Sequence, residues 1–278
     1  RNQEMSSIIK RDDSGGDARL FRKRRDEFGG YGHVAQAFNE KGTYHSPWVL
    51  EILRQSVPAD AYVIDVGCGT GNFTREIQRA GFKNVRGIDP DPRMIEAARE
   101  QERGKGLDTI MYGTGYVTDL GKGIFDVITC QWAFDNFCDE PDSVAAIKAA
   151  LAPHGAFVSL TWPSSRISEE RSKTIDPFAT SKRSKPSGSP YSWGNRSYAP
   201  LLVEYGFKEV VTHTRPVRIP YSLDEARQYM RRSGKLSTVP AKNLAACHAA
   251  LDELCERLQE SDGKIYRDIT VILDIARL

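Results

Sequence analysis

The stretch that most limits what this chain can fold into is Val63-Ile-Asp-Val-Gly-Cys-Gly-Thr-Gly-Asn-Phe73. An apolar run stops at Asp65 and Val66, and Gly67, Gly69 and Gly71 follow at alternate positions. Glycine reaches backbone angles that other residues avoid, and without a Cβ it lets a ligand come close to the chain. Phe73, Ile77 and Ala80 then recur at helical spacing. A helix starting here aims its unpaired N-terminal amides at the space beside the glycines. The spacing is G-x-G-x-G; the dinucleotide fingerprint G-x-G-x-x-G sets its third glycine one residue later.

The alternation of strand and helix continues downstream. Apolar runs predict strands over 62–66, 85–88, 109–112, 125–130 and 156–162, with helices over 72–80, 92–101 and 142–151 between them. Near-continuous apolar strands that alternate with helices make a parallel sheet buried on both faces. Before it, Phe28, Tyr31, Val34, Ala35 and Phe38 have helical spacing. A further helix is expected after Ser46, with Pro47 at its first position and Val49, Leu50, Leu53 and Val57 inward.

The flanks read differently. Residues 1–27 are polar and read as a mobile tail; its basic run Arg19–Arg25 reads as solvated rather than as a nucleic-acid arm. Residues 163–195, rich in Ser, Pro, Lys and Arg, read as a linker or lid. A helix over 198–205, extended segments at 207–214 and 217–220, and a strand over 265–276 complete the core, which spans 28–162, 196–221 and 264–278. Helical patterns at 223–230 and 241–259 place a helical cap at 222–263.

Composition narrows the class. The chain has 278 residues, 40% hydrophobic and 27% charged, with a formal net charge of +2, too small by itself to imply a polyanionic partner. No apolar run approaches the roughly 20 residues of a membrane span. Cys68, Cys130, Cys138, Cys247 and Cys255 form no C-x-x-C pair, which fits reduced thiols in the cytoplasm. The histidines show no metal-ligand spacing, so no metal is expected.

Four features in order resemble the class I S-adenosylmethionine-dependent methyltransferases. They are the glycine loop, the acidic strand end Gly87-Ile-Asp-Pro90, the strand Phe125-Asp-Val-Ile-Thr-Cys-Gln131, and the passage Ala149-Ala-Leu-Ala-Pro-His-Gly-Ala-Phe157. The layout is similar to the small-molecule branch that includes trans-aconitate and ubiquinone methyltransferase-like proteins. This resemblance implies a Rossmann-like α/β sheet of seven mostly parallel strands, ordered 3-2-1-4-5-7-6, with a helical cap. It implies S-adenosylmethionine as cofactor and S-adenosylhomocysteine as product. In such a sheet ligands bind at the carboxyl ends of the strands where chain direction switches, and Asp65, Gly67, Asp89 and Gln131 lie at such ends.

The resemblance also implies roles. Gly67, Gly69 and Gly71 cradle the methionine part and ribose, and Asp89 takes the ribose hydroxyls. Asp65 either offsets the cofactor's ammonium or bonds the glycine loop. Thr114 stands nearest the adenine position, where an ordinary turn at Gly113–Gly115 is the alternative. Gln131 bounds the methionine end. The related branch has a His-Trp pair near residues 132–137; here Trp132-Ala-Phe-Asp-Asn-Phe137 has no histidine, so no histidine base stands there. The candidate catalytic groups are His33, His45 and Asp135, the last with a loop-capping alternative shared by Asn136. Tyr31, Tyr44, Trp132, Trp162 and Trp193 are candidate acceptor contacts, with plain core packing as the alternative for the tryptophans. Lys182, Arg183, Lys185 and Arg196 either attract an acidic substrate or are solvated.

The expected activity is methyl transfer to a small-molecule acceptor, the receiving atom left open. A nucleic-acid enzyme methylating amino groups would carry Asn/Asp-Pro-Pro-Tyr where this chain has Cys130-Gln-Trp-Ala133. A protein acceptor or a non-catalytic cofactor-binding module are the other readings.

Overall fold

The computed structural model describes residues 46–104, 109–180, 196–231 and 233–278. The strands are Tyr62–Val66 (β1), Asn84–Asp89 (β2), Met111–Thr114 (β3), Phe125–Gln131 (β4), Leu151–Thr161 (β5), Glu209–Tyr221 (β6) and Ile265–Arg277 (β7). The helices are Ser46–Ser56 (α1), Asn72–Arg79 (α2), Pro92–Arg103 (α3), Pro141–Ala150 (α4), Arg166–Ile175 (α5), Ala199–Glu204 (α6), Leu223–Arg231 (α7) and Ala241–Leu258 (α8). The strands form one sheet ordered β3-β2-β1-β4-β5-β7-β6. β1 to β5 pair in parallel, and β7 runs antiparallel to both neighbours. This is the order that the resemblance implies.

Alternate strand residues face opposite sides, and both sides here are buried. Val63, Val127 and Val158 pack into one cluster, Ile64, Ile128 and Phe157 into the other. α4 and α6 cover the second side through Val144, Ile147, Leu201 and Leu202. On the first side, α1, α2, α5, α7 and α8 contribute to one continuous core with the sheet. Ala226, Met230, Cys247, Leu251 and Leu254 of the cap belong to that core together with Leu160 and Val271.

The sequence expectation needs three corrections. The stretch 163–195 begins with α5, whose N-cap Ser165 accepts the Ser168 amide. Only Ile167 and Ile175 of α5 are buried, so its apolar pattern is too sparse to read; packing against α8 supplies what periodicity lacks. The third strand lies two residues later than expected, pairing Asp89 with Thr114. The extended segments at 207–214 and 217–220 are one strand, β6, running through Pro216. β6 is the sheet edge, where a missing N–H leaves no ladder bond unmade. The helix expected near residues 28–38 lies outside the described residues.

The β6–β7 ribbon overhangs the sheet. β5 pairs with β7 only as far as Thr161↔Ile272, while β6 and β7 continue to Tyr221↔Ile265. That overhang lies beyond the carboxyl end of β5, and α5 and α7 pack against it.

Candidate cofactor and acceptor site

The glycine loop closes the end of β1 with three left-handed residues: φ is 69° at Gly67, 53° at Gly69 and 77° at Gly71. Two of the three also lack room for a Cβ. A Cβ on Gly67 would stand 2.4 Å from the Ala133 Cβ, and one on Gly71 would stand 2.5 Å from the Tyr112 hydroxyl. Among the described residues a Cβ on Gly69 would meet nothing within 4 Å, so the space above it is open to them. The loop is tied down from behind. The Cys68 amide donates to the Ile88 carbonyl at 2.9 Å, and buried Arg75 donates to the Thr70 carbonyl at 2.9 Å and to Asn72 Oδ1 at 2.6 Å.

Two carboxylates flank the loop. Asp89, at the end of β2, accepts the Gly69 amide on Oδ2 and the Asp91 amide on Oδ1, both at 2.9 Å. Burial pushes its carboxyl up to about 6, against the lowering effect of those amides. Asp65 is 1% exposed, and its partners are hydroxyls rather than the glycine amides. Thr74 Oγ1 donates to Oδ2 at 2.7 Å and Thr129 Oγ1 donates to Oδ1 at 2.8 Å. Desolvation raises the Asp65 carboxyl to about 7, the hydroxyls opposing and Asp89 adding to the rise. Among the described residues no lysine or arginine forms an ion pair with either group.

The register of β3 sets Thr114 opposite Asp89, and the Gly115 amide donates to the Asp89 carbonyl at 3.2 Å. Asp119 is used locally, accepting the Tyr116 amide at 2.7 Å. Gln131 ends β4 opposite Leu160. Trp132 follows with φ at 52°, strained for a bulky residue, and is 45% exposed. Its ring stacks on Trp162 with centroids 4.9 Å apart and planes at 28°. The ends of β4 and β5 thus carry one aromatic pair, exposed at Trp132 and partly buried against the core at Trp162. Asp135 sits in the short turn Phe134–Asn136, anchored by Phe134 against Phe137, Phe157 and Tyr198. Asn136 Nδ2 donates to the Ala133 carbonyl at 2.9 Å, the loop-capping alternative for that residue. Tyr31, His33, Tyr44, His45 and Trp193 lie outside the described residues, as do Lys182, Arg183 and Lys185.

Sequence reasoning missed Thr74, Thr129 and Tyr112. A threonine within a strand or a helix start carries no signal until the sheet brings it beside Asp65. It also missed Arg171, Tyr229 and Arg267, which three separate elements bring together near Trp162. Among the described residues no cluster of His, Cys, Asp and Glu could hold a metal, and no helix is long and apolar enough to cross a membrane.

A left-handed glycine loop on the first strand, a carboxylate on the second, and this strand order together define a Rossmann-like methyltransferase fold. Known proteins agree. Residues 64–159 match the family model described as a methyltransferase domain. A demethylmenaquinone methyltransferase of Deinococcus radiodurans is 35% identical over 104 residues, 36% of this chain and 43% of that protein. A ribosomal protein L11 methyltransferase of Clostridium perfringens is 30% identical over 127 residues, 46% of this chain and 38% of that protein. The chain spans about two fifths of the length of these relatives. The crystal structure of the YcgJ protein of Bacillus subtilis shares the fold, with a TM-score of 0.53 at 19% identity over 85% of this chain and 100% of that one. Residues 64–159 thus form a methyltransferase domain within a sheet of the Rossmann-like methyltransferase fold. Its relatives are named for different acceptors, one for demethylmenaquinone and one for a ribosomal protein.

Proposed function

We propose that the protein transfers a methyl group from S-adenosylmethionine to a small-molecule acceptor. One observation carries the reading: open space over Gly69 adjoins Asp89, with Asp65 buried at the strand end before the loop and a stacked tryptophan pair at the neighbouring strand ends. The residues fit the cofactor. It carries a sulfonium and an ammonium, and Asp65 and Asp89 are carboxylates that form no ion pair with a lysine or arginine among the described residues.

When bound, S-adenosylmethionine supplies a methyl carbon made electrophilic by the sulfonium. The chain's own residues hold and orient. Gly67, Gly69 and Gly71 admit the methionine and ribose portions close to the backbone. Asp89 orients the ribose hydroxyls, and Asp65, fixed by Thr74 and Thr129, offers negative charge toward the ammonium. Thr114 or its adjoining backbone meets the adenine, and Gln131 bounds the methionine end. Trp132 and Trp162 wall the acceptor side and exclude water. Holding nucleophile, methyl carbon and sulfur in line converts a bimolecular encounter into an oriented one. A carboxylate or thiolate acceptor needs no base; for a phenol, amine or carbon acid, His33, His45 and Asp135 are the candidates. Five buried free cysteines fit a reducing compartment, and we place the protein in the cytoplasm.

The test is incubation with methyl-labelled S-adenosylmethionine and a metabolite extract, followed by mass analysis of what gains label. A labelled small molecule is the expected result. Label only in protein or nucleic acid would overturn this choice of acceptor.

A further inference from the structure

Arg267 occupies an unexpected place. It lies on β7 at an alternate position with Ile265, Ile269, Val271 and Leu273, all of them buried in the core between sheet and cap. A guanidinium thus interrupts an apolar row on the overhang of the β6–β7 ribbon. It lies 5.9 Å from the Trp162 ring centre and 5.3 Å from that of Tyr229. A second guanidinium joins it: Arg171 of α5 lies 4.7 Å from the Tyr229 ring centre and donates to the Tyr229 carbonyl at 3.3 Å. The Nε atoms of both arginines are buried and unbonded, and among the described residues neither arginine meets a carboxylate.

Aromatic faces attract guanidinium groups but do not satisfy their N–H donors. Two like charges sharing one aromatic ring repel, and partial burial strengthens that repulsion. The surroundings respond accordingly. Burial lowers the pKa of Arg171, with Arg267 adding to the shift. Desolvation raises the Tyr229 phenol, but Arg171, Arg267 and the serine hydroxyls outweigh it and the net shift is downward. The Tyr229 hydroxyl lies 2.8 Å from Ser168 Oγ, which lies 3.0 Å from Ser165 Oγ, so further small donors stand at the same spot. The cluster is also continuous with the acceptor wall, because the Trp162 ring neighbours both the Arg267 guanidinium and the Trp132 ring.

We propose that Arg171 and Arg267, with Tyr229 between them, receive an oxyanion group, carboxylate or phosphate, borne by the acceptor. This rests on the small-molecule reading above. Planar guanidinium forks match both groups bidentately. The acceptor then spans from the arginines, past Trp162 and Trp132, to the cofactor's methyl group.

The proposal is tested on the whole chain with citrate and inorganic phosphate as separate probes, each against chloride at matched ionic strength, read by intrinsic tryptophan fluorescence. Saturable quenching by citrate, phosphate or both is expected, and shows which oxyanion is preferred. Arg267→Gln, and independently Arg171→Gln should the first fail to fold, should weaken the response by about tenfold to a hundredfold. S-adenosylmethionine affinity by calorimetry should stay unchanged in either variant. A response no larger than chloride's, or one equal in wild type and a folded variant, overturns the proposal. Product analysis separates it from the broader reading. A labelled small molecule without an acidic group sinks the oxyanion subsite and leaves the small-molecule reading standing. Label only in macromolecules sinks both.

Discussion

Gly67→Ala and Gly69→Ala should have opposite consequences, although both place alanine at a left-handed position two residues apart. At Gly67 two costs add. A non-glycine residue at φ 69° costs roughly 1–2 kcal/mol. The new methyl group would stand 2.4 Å from the Ala133 Cβ, about 1 Å inside ordinary contact. Neither segment yields readily, because the Cys68 amide is bonded to Ile88 and the Trp132 amide to Leu160, both at 2.9 Å. Overpacking of this kind costs roughly 1–3 kcal/mol, so Gly67→Ala should lose about 2–5 kcal/mol in urea unfolding. At Gly69 the conformational cost alone applies, roughly 1–2 kcal/mol, since its methyl group meets nothing within 4 Å among the described residues. That methyl group instead enters the space assigned to the cofactor. Gly69→Ala should therefore keep most of its stability and lose S-adenosylmethionine affinity by at least about tenfold in calorimetry. Equal destabilisation of the two variants, or wild-type cofactor affinity in Gly69→Ala, would refute the reasoning.

The remaining predictions concern the flanking groups. Asp65 is raised from 3.8 to about 7, so its contribution to the stability of the cofactor-free protein is present in full below pH 4 and is lost as pH rises toward 7. The loss amounts to about 4 kcal/mol at most; Asp65→Asn should remove that pH dependence, and parallel unfolding profiles for the two proteins between pH 4 and 8 would contradict it. The Asp89→Ala variant should bind S-adenosylmethionine about tenfold to a hundredfold more weakly, and unchanged calorimetric affinity would remove the ribose assignment. Trp132→Gly relieves a strained φ of 52° while losing the stack on Trp162, terms of roughly 1 kcal/mol each. Its melting temperature should barely move while the acceptor's KM rises; a large drop in melting temperature with unaltered KM would make Trp132 structural.

Legibility in the sequence differed by element. Strands β1, β4 and β5 could be read because central strands of a parallel sheet are apolar on both sides, and short runs of that kind stand out. The glycine loop could be read because left-handed φ demands glycine. α5 could not, since two apolar residues in a polar helix make no stripe. The position of β3 could not, since its start is fixed by pairing with β2 and not by its own composition. The site divides the same way. Asp89 and Asp65 stand at strand ends that the sequence marks, whereas Thr74, Thr129 and Arg267 matter only through neighbours that are distant along the chain.

The sequence by itself determined the sheet's central strands, the glycine turn and the carboxylates beside it, because each depends on local periodicity or local backbone geometry. Tertiary structure decided which hydroxyls hold Asp65, which rings face each other at the strand ends, and that Arg171 and Arg267 share one tyrosine. Those facts depend on register and on the packing of α5 and α7 over the β6–β7 overhang. Side chains separated by up to about a hundred residues meet there, and no local pattern in the chain encodes their meeting.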